Sequence, residues 1–517
     1  MSVQLEQGRS PSNGSVPGPI QTGDTTMVDS GRASWDVAAF SARSHSLLLA
    51  AEGGLESRDP ATGELVATVG VSSIAEVDDG IARAGSAVRR SAWRNDGALR
   101  ARVLFRWAAR MREQSERLAE LLTREQGKTI GQARGELASS ISMIEYNAGL
   151  ARAIYGRSLA LKEGVHGVML REPVGVVAAI TPWNYPLNLT IRAVAPALAA
   201  GNAVLVKPAS LTPAIVVAAM QLLADDELPA DIAAVVVGPG GTVGDRMVTH
   251  PEIDMIAFTG DSTTGINVMK SAADGLKRVS LELGGKSPNI VFADADMEKA
   301  LAGAENAIFS AAGQICTAGS RLLLERSIRD EFLERLVARA DAMRVGDGLD
   351  PATEMGPLVS REQKRTVLDY IGIGRSEGTV LAGGTAVEDG GLEHGNFVRP
   401  TIVADLPSDS RLVAEEVFGP VLAVQTFETE EEAVEIANAS EFGLACGLWT
   451  NDLNRTWRLG RAIESGTIWI NTYHHFYGEM EVGGFKRSGI GRQQGVEGLL
   501  EFTETKHLNF DSNPTLW

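Results

Sequence analysis

Cysteine is scarce in this 517-residue sequence, which contains only Cys316 and Cys446. Two cysteines exclude a disulfide framework and fit a reducing compartment, so we expect a cytoplasmic protein. Basic residues are also in deficit, because 48 lysines and arginines against 66 aspartates and glutamates leave a formal net charge of -18. We therefore expect neither nucleic acid nor an anionic membrane as a partner.

Long apolar runs are absent as well, and none approaches the ~18 residues that a membrane-spanning helix needs. The first 30 residues lack the apolar core of a secretion signal, and their acidic residues argue against a mitochondrial leader. Because Ser, Gly, Pro, Thr and Gln dominate this stretch, we predict a disordered N-terminal tail over residues 1–30. His474 and His475 are adjacent, but no further ligand cluster accompanies them, so no metal site is predicted.

What the sequence does contain is an alternation of β-rich and helical segments from Pro173 onward. Asn184, Lys207 and Gly260 each follow a predicted strand closely, and a doubly wound sheet binds its ligand at that edge. The pattern predicts an α/β fold with two domains. A long helix is predicted over residues 98–124, and Thr212 is predicted to cap another.

Cys316 lies among small and polar residues in the stretch 313–321, after an alanine-rich segment. Glycine beside a cysteine lets backbone amides approach the sulfur or an adjacent oxyanion. On its own, such a cysteine is more often a small buried hydrophobe, which is our interpretation of Cys446. Glu282 changes the balance, since it ends an apolar strand just before a glycine turn and can act as a general base. Together the two residues predict a nucleophile and its base.

Three further features each allow two interpretations. The glycine run at 238–244 can bind a dinucleotide, although its spacing departs from G-x-G-x-x-G. Lys207 can be a surface lysine or can bind a ribose or phosphate. Asn184 can simply form a turn, or its amide can point at an oxyanion beside the backbone N–H of Cys316.

Seven segments, in order, make the chain resemble the NAD(P)-dependent aldehyde dehydrogenase family: 181–186, 201–208, 258–260, 281–286, 313–321, 415–420 and 483–492. The resemblance extends from about Ser57 to His507. It implies a Rossmann-type cofactor domain over 31–157 and 173–285 and an α/β catalytic domain over 286–485. It also implies a small β oligomerisation arm over 158–172 and 486–517, and hence a homodimer or homotetramer.

The resemblance further implies a mechanism. Cys316 would attack an aldehyde to give a thiohemiacetal, Asn184 would hold its oxyanion, and Glu282 would activate the water that hydrolyses the later thioester to an acid. NAD or NADP would take the hydride. The implied cofactor-binding residues are Thr181, Pro182, Trp183, Lys207, Ser210, Gly240, Gly244, Phe258, Gly260, Asp261, Leu283, Glu416 and Phe418. The implied substrate-lining residues are Tyr185, Ile315, Thr317, Phe476 and Val482.

Departures from the family pattern affect details of the prediction. Ser210 replaces an acid that would repel a 2′-phosphate, so NADP is permitted. Asp261 replaces a common serine, and its effect on a bound pyrophosphate depends on where its side chain points. The lining residues predict a mostly apolar channel and an apolar or aromatic aldehyde. A semialdehyde or aminoaldehyde is the alternative and would need a charged anchor, and a non-catalytic protein of the same fold is a third possibility.

Overall fold

The structure is a computed structural model that describes residues 54–512. The predicted tail over residues 1–30 lies outside the described residues, as do residues 31–53 and 513–517. The described chain begins with two antiparallel strands and four helices. These are β1 (Leu55–Arg58), β2 (Leu65–Val69), α1 (Ile74–Arg90), α2 (Gly97–Glu113), α3 (Ser115–Gln126) and α4 (Ile130–Leu150).

The single helix predicted over residues 98–124 is wrong, because α2 and α3 are separate. Gln114, with φ -102° and ψ 12°, interrupts the helical backbone between them. Gly127 then ends α3 in the left-handed region, with φ 97°. The apolar periodicity continues across Gln114, which is why it suggested one helix.

The next segment builds a six-stranded sheet in the order β19-β9-β8-β5-β6-β7, in which β5 to β9 run parallel. Its elements are β5 (Val176–Ile180), α5 (Pro186–Ala200), β6 (Ala203–Lys207), α6 (Pro213–Gln221), β7 (Ala233–Val235), α7 (Asp245–Thr249), β8 (Met255–Thr259), α8 (Ser262–Ala273) and β9 (Arg278–Glu282). The sixth strand, β19 (Gly489–Ile490), joins β9 antiparallel. This is the predicted doubly wound arrangement.

Helix α6 begins at Pro213 with Thr212 at its cap position, as expected, but the expected hydrogen bond from the cap is missing. The Thr212 side chain makes no capping hydrogen bond. The buried carboxylate of Glu125 instead accepts the backbone N–H groups of Ala214 at 2.7 Å and Ile215 at 2.9 Å. A residue on α3 therefore stabilises the amino end of α6.

The rest of the chain builds a seven-stranded sheet in the order β12-β13-β14-β11-β10-β16-β17, parallel except for β12. Its elements are β10 (Pro288–Val291), α9 (Met297–Phe309), β11 (Arg321–Glu325), α10 (Arg329–Ala342), α11 (Arg361–Glu377), β12 (Thr379–Ala382), β13 (Thr401–Ala404), α12 (Arg411–Ala414), β14 (Val421–Phe427), α13 (Glu430–Asn438), β15 (Phe442–Gly443), β16 (Ala445–Trp449), α14 (Leu453–Ala462) and β17 (Thr467–Ile470). A short antiparallel pair joins β15 to β18 (Phe485–Lys486).

A three-stranded antiparallel sheet forms the arm. It pairs β3 (Arg157–Lys162) with β4 (Val165–Pro173), and β4 with β20 (Thr503–Asp511), which follows α15 (Gly495–Leu500). The main apolar core runs from Val66 to Leu283 with additions from α15, and two others lie around the seven-stranded sheet. The fold is thus of the predicted α/β type, while the exact domain boundaries stay a prediction.

No helix within residues 54–512 is long and apolar enough to cross a membrane. Over the same range, no group of three or more His, Cys, Asp or Glu side chains is arranged to hold a metal ion.

Candidate active site

The loop that carries Cys316 leaves the carboxyl end of α9 through a tight turn. Ala311, Ala312 and Gly313 have positive φ values of 48°, 53° and 71°. A Cβ at Gly313 would lie 2.1 Å from the carbonyl oxygen of Gly419, so only glycine fits there. Cys316 is therefore held on a packed turn, and it is half-buried.

Gln314 fastens this loop and joins it to Asn184. Its side-chain Nε2 donates to the Ala311 carbonyl at 3.0 Å, and its Oε1 accepts the Val359 N–H at 2.9 Å. Its own carbonyl oxygen accepts a hydrogen bond from Nδ2 of the buried Asn184 at 2.9 Å. Because the amide nitrogen carries two hydrogens, Asn184 keeps a second N–H for another acceptor close to Cys316.

Glu282 ends β9 at the predicted place. Glu282 pairs with Gly489 of β19 in the sheet, and the Glu282 side chain is buried. Its Oε1 has no hydrogen-bond partner among the described residues. Burial raises the pKa of Glu282 to about 7, although the nearby Arg192 and Arg492 oppose that rise. A carboxyl that titrates near neutrality suits a general base.

The glycine turn after Glu282 brings the two segments together. A Cβ at Gly285 would lie 2.5 Å from the Cys316 carbonyl oxygen, so the backbone of the turn packs directly on the cysteine loop. Burial raises the pKa of the Cys316 thiol to about 12, while Arg192 lowers it and Glu416 and Glu282 raise it. The thiol therefore needs help to ionise in this state of the protein.

Arg192 is a site residue that sequence reasoning missed. It lies on α5, is 8% exposed, and its guanidinium Nη2 is 4.0 Å from Oε2 of Glu282. Its Nε has no hydrogen-bond partner among the described residues. A signal was present, since Arg192 is the only charged residue in the 15-residue helix α5.

Several predicted cofactor residues lie at the carboxyl edge of the six-stranded sheet. Lys207, at the end of β6, is buried; its Nζ donates to the Pro208 carbonyl at 3.0 Å, and burial lowers its pKa to about 8. Its backbone carbonyl accepts the N–H of Thr181, which follows β5 together with Pro182. Ser210 donates from its hydroxyl to the Gly238 carbonyl at 3.4 Å.

The glycine run forms one π-helical turn, Gly240–Gly244, that leads into α7. A Cβ at Gly240 would meet nothing within 4 Å, so this residue faces open space. A Cβ at Gly244 would lie 3.5 Å from the side chain of Lys207, so the run and the lysine are neighbours. An open glycine turn, an amino end of a helix and a buried cation suit the charged half of a dinucleotide.

The other predicted cofactor residues form a second group nearer Cys316. Oε1 of Glu416 accepts the Gly285 N–H at 3.0 Å, which places Glu416 on the turn after Glu282, and burial raises the pKa of Glu416 to about 7. The rings of Trp183 and Phe418 meet edge to face, with centroids 5.2 Å apart. The predicted cofactor residues thus form two groups, one around Lys207 and one around Glu416.

Four predicted cofactor residues around α8 complete this set. Asp261 caps the helix, because its Oδ1 accepts the Thr264 N–H at 2.9 Å. Its carboxylate thus faces the amino end of α8 and complements the helix dipole. A Cβ at Gly260 would lie 2.6 Å from the ring of Phe258, and Leu283 packs closely against α8.

The predicted substrate-lining residues make separate contacts and not one shared cluster. The ring of Tyr185 carries the Lys128 ammonium 3.6 Å from its centroid. The backbone carbonyl of Thr317 accepts a hydrogen bond from the Tyr473 hydroxyl at 3.0 Å. Ile315 is buried in the core beside the cysteine loop, and Phe476 packs edge to face on Trp469 with centroids 5.1 Å apart. Val482 pairs with Gln493 through two backbone hydrogen bonds of 2.8 and 2.9 Å.

Comparisons with known proteins identify the family of the chain. The model of the aldehyde dehydrogenase family matches residues 49–508. The betaine aldehyde dehydrogenase of Bacillus subtilis (strain 168) is 41% identical over 88% of this chain and 94% of that protein. The crystal structure of the Staphylococcus aureus betaine aldehyde dehydrogenase in complex with NAD+ is 36% identical, with a TM-score of 0.89 over 91% of this chain and 94% of that one. PnpE from Pseudomonas sp. WBC-3 is 39% identical, with a TM-score of 0.88 over 92% and 97%.

The family match covers nearly all of the described chain, including the whole range from about Ser57 to His507 over which the sequence predicted the resemblance. The enzyme class follows with them: the protein is an oxidoreductase that acts on aldehydes with NAD(P). The chain belongs to the aldehyde dehydrogenase family.

Proposed function

We propose that this aldehyde dehydrogenase oxidises a short semialdehyde, an aldehyde with a carboxylate at its other end. The observation that carries the proposal is the buried guanidinium of Arg192, which lies 4.0 Å from Glu282 and whose Nε has no hydrogen-bond partner among the described residues. A buried charge without such partners costs free energy, and guanidinium matches carboxylate geometry. A substrate carboxylate would supply the missing acceptor.

A quaternary ammonium aldehyde is the second candidate, because two of the relatives named above are betaine aldehyde dehydrogenases. Trp469 contacts Tyr473, His474 and Phe476, and aromatic faces bind such cations. Burial lowers the pKa of His474 to about 4, so that ring is neutral at ordinary pH. Against this candidate, Arg192 would repel a cation near Cys316, and the Lys128 ammonium already occupies one face of Tyr185.

An apolar or aromatic aldehyde, the first expectation from the sequence, fits Ile315 and Phe476. It would, however, leave Arg192 without a counter-charge other than Glu282. The semialdehyde is therefore the better proposal.

Within the same proposal, the chain's residues take the roles that the motifs implied. The thiolate of Cys316 attacks the aldehyde carbon, and the resulting oxyanion accepts hydrogen bonds from the second N–H of Asn184 and from the Cys316 amide. The bound coenzyme accepts the hydride, which leaves a thioester on Cys316. Glu282 then takes a proton from the water that releases the acid. Lys207 and Ser210 would hold the adenosine end of the coenzyme, and Glu416 and Phe418 its nicotinamide end.

We also propose a cytoplasmic homodimer or homotetramer assembled through the arm. Leu159, Leu161 and Phe510 of the arm are large apolar side chains that are each more than half exposed. A partner subunit would cover them. Light scattering that gives the mass of one chain would contradict this assembly.

The test of the substrate class compares 4-oxobutanoate, its methyl ester and betaine aldehyde, with both coenzymes. We expect kcat/KM for 4-oxobutanoate to exceed that for the neutral ester by about 10- to 100-fold, the effect of one charge-assisted contact. Arg192→Gln should remove the advantage, and Arg192→Lys should keep part of it. A preference for betaine aldehyde that survives Arg192→Gln would favour the second candidate.

The residue roles need a separate test. Cys316→Ala should abolish turnover in folded protein. Glu282→Gln should slow steady-state turnover by about 10²- to 10⁴-fold while a first equivalent of reduced coenzyme still forms. Loss of that first equivalent would contradict a role confined to thioester hydrolysis.

A further inference from the structure

A buried ion pair contacts the backbone of Asn184. The ammonium of Lys128, just after the end of α3, pairs with Oε2 of Glu136 on α4, and both side chains are fully buried. Burying two charges costs several kcal/mol per ion, and neutral replacements of such pairs are often no less stable. Fold stability alone is therefore a poor explanation for this pair.

The remaining contacts of Lys128 point to Asn184. Its Nζ donates to the Asn184 backbone carbonyl at 2.9 Å and lies 3.6 Å from the centroid of the Tyr185 ring. These are the proposed oxyanion-binding residue and its neighbour. The lysine thus fixes the backbone from which the Asn184 amide projects toward the cysteine loop.

The remaining contacts of Glu136 fix the same segment from the other side. Its Oε1 accepts the N–H groups of Leu187 at 3.1 Å and Asn188 at 3.0 Å. These belong to the first turn of α5, whose cap position, Tyr185, makes no side-chain capping bond. The carboxylate replaces the missing cap.

We propose that Lys128 and Glu136 are positioning residues for the oxidation reaction, holding Asn184 where its amide meets the oxyanion on Cys316. This inference rests on the proposed role of Asn184. Lys128 binds the Asn184 carbonyl and Glu136 binds the backbone amides that follow it, but neither residue contacts a reacting atom. Holding a donor to within a fraction of an ångström is what oxyanion stabilisation requires.

The test uses the double variant Lys128→Met/Glu136→Gln. Both new side chains are neutral, so no charge is left buried alone, and the side-chain oxygen of the introduced glutamine can still accept an α5 amide. Cleavage of p-nitrophenyl acetate reports acylation of Cys316 without coenzyme or hydride transfer, and aldehyde oxidation is measured beside it. We expect kcat to fall by about 10- to 100-fold in both assays, with KM for the coenzyme and the thermal midpoint near those of the wild type.

The matched control is Glu125→Gln, which changes another buried helix-capping carboxylate, on α6 instead of α5. It should keep kcat. A general loosening of the fold would slow both proteins alike and would contradict a positioning role.

A double-mutant cycle with Asn184→Ala tests whether Lys128 and Glu136 act through Asn184. Asn184→Ala alone should lose about 10²- to 10³-fold in kcat, and adding Lys128→Met/Glu136→Gln should cost little more, since both changes remove one function. Full additivity, or wild-type kcat in Lys128→Met/Glu136→Gln, would overturn the inference while leaving the proposed function intact. Wild-type kcat in Asn184→Ala would instead overturn the role of Asn184, and the inference with it.

Discussion

The guanidinium of Arg192 lies 4.0 Å from the carboxylate of Glu282, and both side chains are buried. The same guanidinium also lowers the pKa of Cys316. One fixed positive charge therefore acts on both the proposed nucleophile and the proposed base. Because burial raises the pKa of both groups, this charge moves each pKa back toward the working pH.

The first prediction concerns the pH dependence of turnover on a neutral aldehyde. Glu282 must be ionised to act as a base, so kcat should rise with pH through about 7, the pKa that burial gives it. Arg192→Gln removes a charge that favours the carboxylate, so the rising limb should move to higher pH. Arg192→Lys keeps the charge and should move it less. An unchanged limb in Arg192→Gln would show that the two groups are not coupled.

The second prediction concerns thiol reactivity in the absence of substrate. Burial raises the pKa of both Cys316 and Cys446 to about 12. Cys316 is half-buried at the active site, whereas Cys446 is fully buried in β16. Iodoacetamide should therefore alkylate only Cys316 in the native enzyme, with a rate that increases with pH above neutrality.

Mass spectrometry of the labelled protein checks this result. Cys446 should react only after denaturation. Arg192→Gln should slow alkylation of Cys316, because the thiolate loses a stabilising charge. A single alkylation at Cys446 of the native protein would contradict the prediction.

The third prediction concerns the coenzyme. Ser210 presents a neutral hydroxyl near Gly238, and in the proposed coenzyme site a carboxylate at this position would oppose a 2′-phosphate. Ser210→Glu should therefore lower kcat/KM for NADP by about tenfold or more and leave that for NAD similar or higher. Ser210→Gln, which has the size of glutamate without its charge, separates electrostatics from bulk. An equal loss with both coenzymes would mean that only space matters at this position.

The places of Glu282 and Cys316 in the fold could be predicted because both residues occupy positions that sequence alone defines. Glu282 ends a strand before a glycine turn, and Cys316 follows a helix in a loop of small residues. The order and length of the predicted elements assign such residues to a strand end or a loop without any knowledge of side-chain contacts. The α/β class follows from the same alternation of elements.

Side-chain partnerships could not be predicted in this way. Lys128 and Asn184 are 56 residues apart, and nothing in their local sequence indicates that they meet. The direction of Asp261 depended on one rotamer, which the structure shows capping α8. Arg192 is recognisable in the sequence as a lone charge in an apolar helix, but its proximity to Glu282 depends on how α5 packs on the six-stranded sheet.

The last prediction concerns stability and the buried carboxyl of Glu125. Burial raises its pKa from 4.5 to about 7, against the opposing hydrogen bonds from Ile215 and Ala214. Between these values the folded protein binds a proton that the unfolded chain has lost, so this group's contribution to stability falls as pH rises. Glu125→Gln removes the titration. The free energy of unfolding of the variant, relative to the wild type, should thus increase by roughly 3 kcal/mol between pH about 4.5 and pH above 7. Urea unfolding at several pH values measures it, with Glu113→Gln at the exposed end of α2 as the control. Parallel curves for Glu125→Gln and the wild type would mean that Glu125 stays ionised in the fold, held by the amides of α6.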